Sequence, residues 1–208
     1  MTHSADRAST PDHSVARSHD PVCTGHEPFL HSILIEWRFA AERHAVQELL
    51  VSFRVQRIAP EDVALMEALS ATFGEAFEDV ETYTRKRPAA GYLRQLLESD
   101  YFIALAALKN DEVVGGLAAY ELKKFEQERS EIYIYDLAVG AAHRREGIAT
   151  ALIEELGRIA AARGAYVIFV QADTGVEDGP AIALYSRLGK REDVLHFDIA
   201  VERSDGGK

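Results

Sequence analysis

Cysteine occurs once in the 208 residues, as Cys23. A lone thiol makes an intrachain disulfide impossible and leaves no thiol cluster for a metal. No apolar run approaches the ~20 residues that cross a bilayer as a helix. The polar N-terminal stretch, with scattered His and Pro, carries no apolar signal core. The expectation is a cytoplasmic protein. Basic residues are also short, 23 Lys and Arg against 34 Asp and Glu, for a formal charge of −11. Nucleic acids and anionic membranes are held through cationic contacts to phosphate, so neither is expected as a partner, and a cationic small molecule is favoured. Six of the eight histidines precede Ser52, but at irregular spacing and without carboxylate or thiol companions, so no metal site is expected.

With 47% of its residues apolar, the chain can bury one good core but not two. Residues 1–27 have almost no large apolar side chains and are expected to be disordered. Over residues 28–51, Leu30, Ile33, Leu34, Trp37, Ala41, Ala45, Leu49 and Leu50 recur at helical spacing, which predicts an amphipathic helix. Residues 1–51 therefore read as an extension, residues 52–203 as one domain and residues 204–208 as a frayed tail. Within the domain, strand and helix patterns alternate. A strand over 54–58 leads into a helix opened by Pro60. A helix over 89–98 is followed by strands over 101–108 and 113–120 joined by an Asn110-Asp111 turn. Then come a strand over 131–139, a helix from Gly147 to about residue 162, a strand over 166–171, a helix over 181–188 and a last strand over 194–201. This order predicts an α/β fold, a central mixed sheet with helices packed on it.

The most informative segment is Asp136-Leu137-Ala138-Val139, then Gly-Ala-Ala-His143-Arg144-Arg145-Glu146-Gly147-Ile148-Ala149-Thr150. Here a strand runs into the start of a helix, whose first N–H groups lack intrahelical partners and sit at the positive end of the helix dipole. A pyrophosphate fits such a place. Gly147 lets the backbone approach it, Arg144 and Arg145 add charge, and Ala149 keeps the first turn uncluttered. The Arg144-x-x-Gly147-x-Ala149 pattern resembles the acetyl-CoA loop of the GNAT superfamily of N-acetyltransferases. The segment from Pro180 through Tyr185 to Gly189 is similar to the family's next element, a short helix carrying a tyrosine. More narrowly, the stretches Phe125 to Val139, Gly164 to Asp173 and His196-Phe197-Asp198 resemble the type I aminoglycoside 3-N-acetyltransferases (gentamicin acetyltransferase-like). The loop over 174–179 is longer than that resemblance leads one to expect.

The resemblance implies a GNAT fold, a mostly antiparallel sheet with helices on both faces, with acetyl-CoA as cosubstrate. It implies that residues 137–150 grip it, including Glu146, Ile148 and Thr150, with backbone N–H groups at a bulged strand end, Leu137 to Val139, polarising the thioester carbonyl. It places Tyr185 as the acid that protonates the departing thiolate, and it suggests a homodimer. The activity implied is acetylation of the 3-amino group of an aminoglycoside by direct transfer in a ternary complex, with antibiotic resistance as the consequence. Two other readings stand beside it: the same chemistry on a polyamine, amino acid or protein amine, and a CoA-binding module without turnover.

The base must be a carboxylate that meets the incoming amine. Asp136 directly precedes the strand end and is the first choice, a bulge near it being able to turn it into the cleft. Asp173, just past the neighbouring strand, and Glu131 follow. A polycationic acceptor calls for an acidic wall, for which Glu75, Glu78, Asp79 and Glu81 with Tyr83, then Glu126 and Glu128, then Glu177 and Asp178 are the candidates. His143 and His196 read as a loop and a sheet histidine rather than catalysts.

Overall fold

A computed structural model describes residues 53–201. The predicted extension and its helix lie outside the described residues, as does the tail from residue 202. The elements run β1 (Arg54–Arg57), α1 (Val63–Ala76), a π-helical turn (Glu81–Arg85), α2 (Ala90–Glu98), β2 (Phe102–Lys109), β3 (Glu112–Lys123), β4 (Ser130–Val139), a 3-10 turn (Ala141–His143), α3 (Ile148–Arg163), β5 (Ala165–Val170), a 3-10 turn (Val176–Asp178) and α4 (Gly179–Leu188). The five strands lie in the sheet in sequence order. Neighbours from β1 to β4 are antiparallel, and β4 to β5 is parallel, the connection running through α3.

The sheet is covered on both faces, and β2 shows why. Phe102-Ile-Ala-Leu-Ala-Ala-Leu is buried at every position, an unbroken apolar run in place of alternation. Phe102, Ala104 and Ala106 pack with Leu69 and Phe73 of α1 and Leu93 and Leu97 of α2. Ile103, Leu105 and Ala107 pack on the other face with Leu117, Ile132, Ile134 and Ile148, Leu152 and Leu156 of α3. Small residues on β2 and β3 let the helices approach closely. Arg163, at the end of α3, donates to Glu121 Oε2 at 2.6 Å and to the Asp100 carbonyl, while buried Ser130 donates to Glu121 Oε1 at 2.6 Å. That network ties the far end of the β3–β4 hairpin to the helix.

One expected element is absent. Residues 190–201 form no regular structure, and Leu195, Phe197 and Ile199 are exposed, so the last strand is not formed. A strand needs a ladder partner for its N–H and C=O groups, and alternation of apolar residues alone supplies none. Among the described residues β5 pairs only with β4. The π-helical turn was not legible in the sequence either.

A Cβ at Gly116 would sit 2.6 Å from the Leu105 carbonyl oxygen and press on Leu69 Cδ1. The backbone oxygen cannot yield, so Gly116→Ala is expected to destabilise the fold by about 2 kcal/mol, read by thermal unfolding as a Tm drop on the order of 5 °C.

Candidate active site

The site is built around a one-residue slip in β4. Ala119 lies opposite Ile134 and Ala118 opposite Asp136, which leaves Tyr135 as the extra residue of a β-bulge. Before the bulge, Ile132 and Ile134 point into the core under α3; after it, Leu137 and Val139 do. Asp136 and Ala138 are thereby turned to the opposite face, where Ala138 packs among Leu69 and Phe73 of α1. Unbroken alternation would have pointed Asp136 into the apolar core with Ile132 and Ile134.

Asp136 meets Tyr83 there, whose hydroxyl donates to Asp136 Oδ1 at 3.0 Å. Tyr83 is delivered by the π-helical turn, whose entry is fixed by Asp79 Oδ1 accepting the Thr82 N–H at 3.1 Å. The turn rests on α1: Tyr83 lies 6.0 Å from the Phe73 ring and 5.7 Å from that of Phe77, and a Cβ at Gly74 would come within 3.1 Å of its own. Burial raises the pKa of Asp136, and the Tyr83 hydrogen bond opposes that rise. Burial, and then the charge of Asp136, push the Tyr83 phenol well above its ordinary range, so it stays a donor.

Aromatic rings continue from this pair along the same face. Tyr135, on the bulge, meets Tyr120 edge-on at 5.8 Å and Tyr133 at 5.8 Å; Tyr133 stacks on Phe169 at 4.9 Å, and Tyr120 stacks on Tyr101 at 6.5 Å. The Tyr133 hydroxyl donates to Gln171 Oε1 at 2.9 Å. This wall is not among the residues expected from the sequence. Its signal was the Tyr133-x-Tyr135 alternation ending at Asp136.

Beyond Asp136, β4 has no partner on its β5 side among the described residues. The β4–β5 ladder ends at Ile134 opposite Val170, whereas β4 itself continues to Val139. Leu137, Ala138 and Val139 pair with Leu117, Gly116 and Gly115 of β3 and have no β5 partner on their second edge. The chain then turns through residues 140–147, with the Gly140 N–H on the Val114 carbonyl at 2.9 Å, Arg145 at φ 71° and Gly147 at φ 87°. These left-handed residues set the loop that launches α3, and glycine takes that conformation without strain. Arg144, Arg145 and Gly147 are exposed at the helix mouth, while Ile148 is buried and anchors the first turn, to which Ala149 and Thr150 belong. A strand edge without a ladder partner leading to a cationic helix N-terminus accommodates an extended amide-bearing arm ending in phosphates. Glu146 points elsewhere, to Lys109 at 2.9 Å and His143 at 3.3 Å.

The remaining predicted residues are scattered. Glu75, Glu78 and Asp79 are exposed around the end of α1, Glu78 at φ 57°. Glu126 is exposed and lies 3.5 Å from Lys124. Glu131 stands five residues before Asp136 on β4, roughly 16 Å away, accepting the Tyr166 hydroxyl at 2.8 Å. Asp173 is exposed beyond the end of β5, and Glu177 and Asp178 occupy the 3-10 turn before α4. Tyr185 lies on α4, where burial, then the nearby charge of Asp178, raise its pKa and keep it protonated.

Comparison with known proteins agrees with this architecture. The family model described as Acetyltransferase (GNAT) family matches residues 63–190. The chain belongs to the GNAT acetyltransferase family. Among solved structures, an aminoglycoside acetyltransferase from an uncultured soil metagenomic sample is 74% identical, covering 73% of this chain and 99% of that one with a TM-score of 0.72. A second aminoglycoside acetyltransferase of soil metagenomic origin, in complex with sisomicin, is 30% identical over 73% of this chain and 97% of that one, TM-score 0.65. A ribosomal-protein-alanine N-acetyltransferase from Brucella melitensis biovar Abortus 2308 is 25% identical over 72% and 99%, TM-score 0.56. None of the curated protein sequences matches.

Because burial raises the pKa of Asp136 above its unfolded value, the folded state favours the protonated carboxyl. The stability that proton supplies is full below the unfolded pKa, near 3.9, and is lost as pH rises through the folded pKa. Asp136→Asn, neutral throughout, should therefore unfold at a higher temperature than the wild type at pH 7, with the difference vanishing near pH 3.5.

Proposed function

We propose that the chain transfers the acetyl group of acetyl-CoA to the 3-amino group of an aminoglycoside, by direct attack in a ternary complex, and so confers resistance to the drug. The observation that carries the reading is the bulge at Tyr135, which sets a half-buried carboxylate on the open face beside the unpaired edge of β4. The 74% identical aminoglycoside acetyltransferase and the relative solved with sisomicin support the acceptor class.

Acetyl-CoA supplies the acetyl group as an activated thioester. In this reading the β4 edge at Leu137, Ala138 and Val139 pairs with the extended arm of CoA, and a backbone N–H there polarises the thioester carbonyl. The loop N–H groups from Gly147 to Thr150, with Arg144 and Arg145, hold the pyrophosphate. Asp136 receives the acceptor as an ammonium and takes its proton, freeing the lone pair for attack. A pKa lifted by burial makes it a stronger base than an exposed aspartate, while the Tyr83 hydrogen bond fixes its rotamer. Tyr185, held protonated, gives its proton to the leaving thiolate and is reprotonated by the proton that the acylated nitrogen loses. Proximity supplies the rest of the rate, and no covalent acetyl-enzyme is required.

The acceptor carries several ammonium groups on hydroxyl-bearing rings. The face formed by Tyr120, Tyr133 and Tyr135 offers π surface to ring C–H groups and cations. Glu75, Glu78, Asp79, Glu126, Glu131, Asp173, Glu177 and Asp178 contribute to the acidic field that concentrates a polycation. Acetylation removes one positive charge from it. The same reading makes the enzyme a cytoplasmic homodimer. In support, Leu195, Phe197, Ile199 and Val201 are exposed together, and β5 has an outer edge without a partner among the described residues.

The decisive experiment offers acetyl-CoA with sisomicin, gentamicin, spermidine and a lysine peptide in parallel and follows thiol release, with the product site read by NMR. Turnover confined to the aminoglycosides and modified at the 3-amino nitrogen is expected; turnover with spermidine or peptide alone would discard the drug assignment. Tyr185→Phe should lower kcat by about 10²-fold. Tyr83→Phe removes the one influence that lowers the Asp136 pKa, so the acidic limb of the kcat/KM profile should move to higher pH.

A further inference from the structure

The phosphate loop contains its own anion. Glu146 is the one carboxylate between Gly140 and Thr150, and it immediately precedes Gly147 at the mouth of α3. A carboxylate in that position is drawn to the same orphan N–H groups and the same dipole end that would bind a pyrophosphate. It can therefore act as an internal competitor for the site.

Lys109 and the imidazole of His143 hold it away. Lys109 Nζ donates to Glu146 Oε2 at 2.9 Å, and His143 Nδ1 lies 3.3 Å from Oε1. Hydrogen bonding from Lys109 is the main influence lowering the Glu146 pKa, so the carboxylate stays charged and paired. Lys109 reaches it because of how the β2–β3 hairpin closes. Asn110 and Asp111 adopt φ 53° and 65°, a tight turn, and Arg54 pins Asp111 at 2.8 Å. The Gly140 N–H bonded to the Val114 carbonyl then locks the hairpin against the loop. A Cβ at Gly115 would lie 2.9 Å from the Ala138 carbonyl and 3.2 Å from Ile148 Cγ2, so strand, hairpin and helix start are in contact at this point.

We propose that Lys109 is a positioning residue for CoA binding that acts through Glu146: it draws the carboxylate off the N-terminus of α3 and keeps the loop's N–H donors available for phosphate. This rests on the reading of residues 140–150 as the CoA phosphate loop. It deepens that reading by assigning a role to a residue of another element, more than thirty positions earlier in the chain.

A four-protein cycle tests it, comparing wild type, Lys109→Met, Glu146→Ala and the double variant. CoA affinity is measured by calorimetry without acceptor, and KM and kcat for acetyl-CoA are measured with sisomicin. Lys109→Met is expected to weaken CoA binding by about fivefold, to raise KM for acetyl-CoA in step and to leave kcat unchanged. Lys109→Arg should restore affinity. In the Glu146→Ala background the lysine substitution should have no further effect. Equal loss in both backgrounds would mean that Lys109 touches phosphate itself and would overturn the proposal. Unchanged affinity in Lys109→Met would reduce the pair to a surface contact, with the same consequence. A wild type that fails to bind CoA would overturn the proposal and the loop reading together. Failure to acetylate sisomicin would discard only the acceptor, because affinity is read without it.

Discussion

The slip of one residue at Tyr135 is the constraint on which the candidate site depends. It reverses the alternation of β4 half-way along, so that one strand feeds two cores. Ile132 and Ile134, then Leu137 and Val139, face α3, while the carboxylate of Asp136 escapes to the α1 side instead of being buried among aliphatic chains. An unpaired carboxylate in that aliphatic core would cost several kcal/mol (roughly, by the penalty for isolated buried charge). On the open face it finds Tyr83 and partial hydration. The parallel ladder with β5 stops at Ile134 while β4 runs on to Val139, leaving a strand edge that leads to the loop before α3.

The surrounding structure is arranged to tolerate this irregularity. β3 supplies Gly115, Gly116, Ala118 and Ala119 opposite the bulged half of β4, and these small residues let Leu69 and Ile148 close over the sheet from either side. The π-helical turn that presents Tyr83 is a second departure from regular structure, held by the Thr82 N–H bond to Asp79 and by packing against Phe73 and Phe77. Two local irregularities thus converge on one hydrogen bond, Tyr83 to Asp136. At the distal end of the sheet the polar network is of another kind. Arg163, Glu121 and Ser130 pair to tie strands to helix, well away from the open edge.

The acetyltransferase family and the acceptor class rest on different kinds of support. The family model over residues 63–190 and the loop geometry agree on the GNAT fold. The acceptor reading draws on one face, where tyrosines surround a half-buried carboxylate, and on the relatives described as aminoglycoside acetyltransferases. A face rich in aromatic hydroxyls with its charge concentrated at one point suits a ring-built, hydroxylated polyamine better than a flexible aliphatic one.

The sequence by itself determined the order of elements as far as α4, because apolar periodicity and punctuation by Pro60, the Asn110-Asp111 turn and Gly147 are local properties of the chain. It also marked the loop before α3, since the meaning of Arg144-x-x-Gly147-x-Ala149 lies in contiguous residues. It singled out Asp136 and Tyr83 separately, but nothing in the letters joins positions 53 residues apart. That pairing, the aromatic wall from Tyr101 to Phe169 and the reach of Lys109 to Glu146 were decided by tertiary structure. The same holds for residues 194–201, whose alternation reads as a strand but whose backbone finds no ladder among the described residues. Pattern records what a segment can bury; only the assembled sheet decides where a bulge turns a side chain and which edge is left open, because both follow from register between strands distant in sequence.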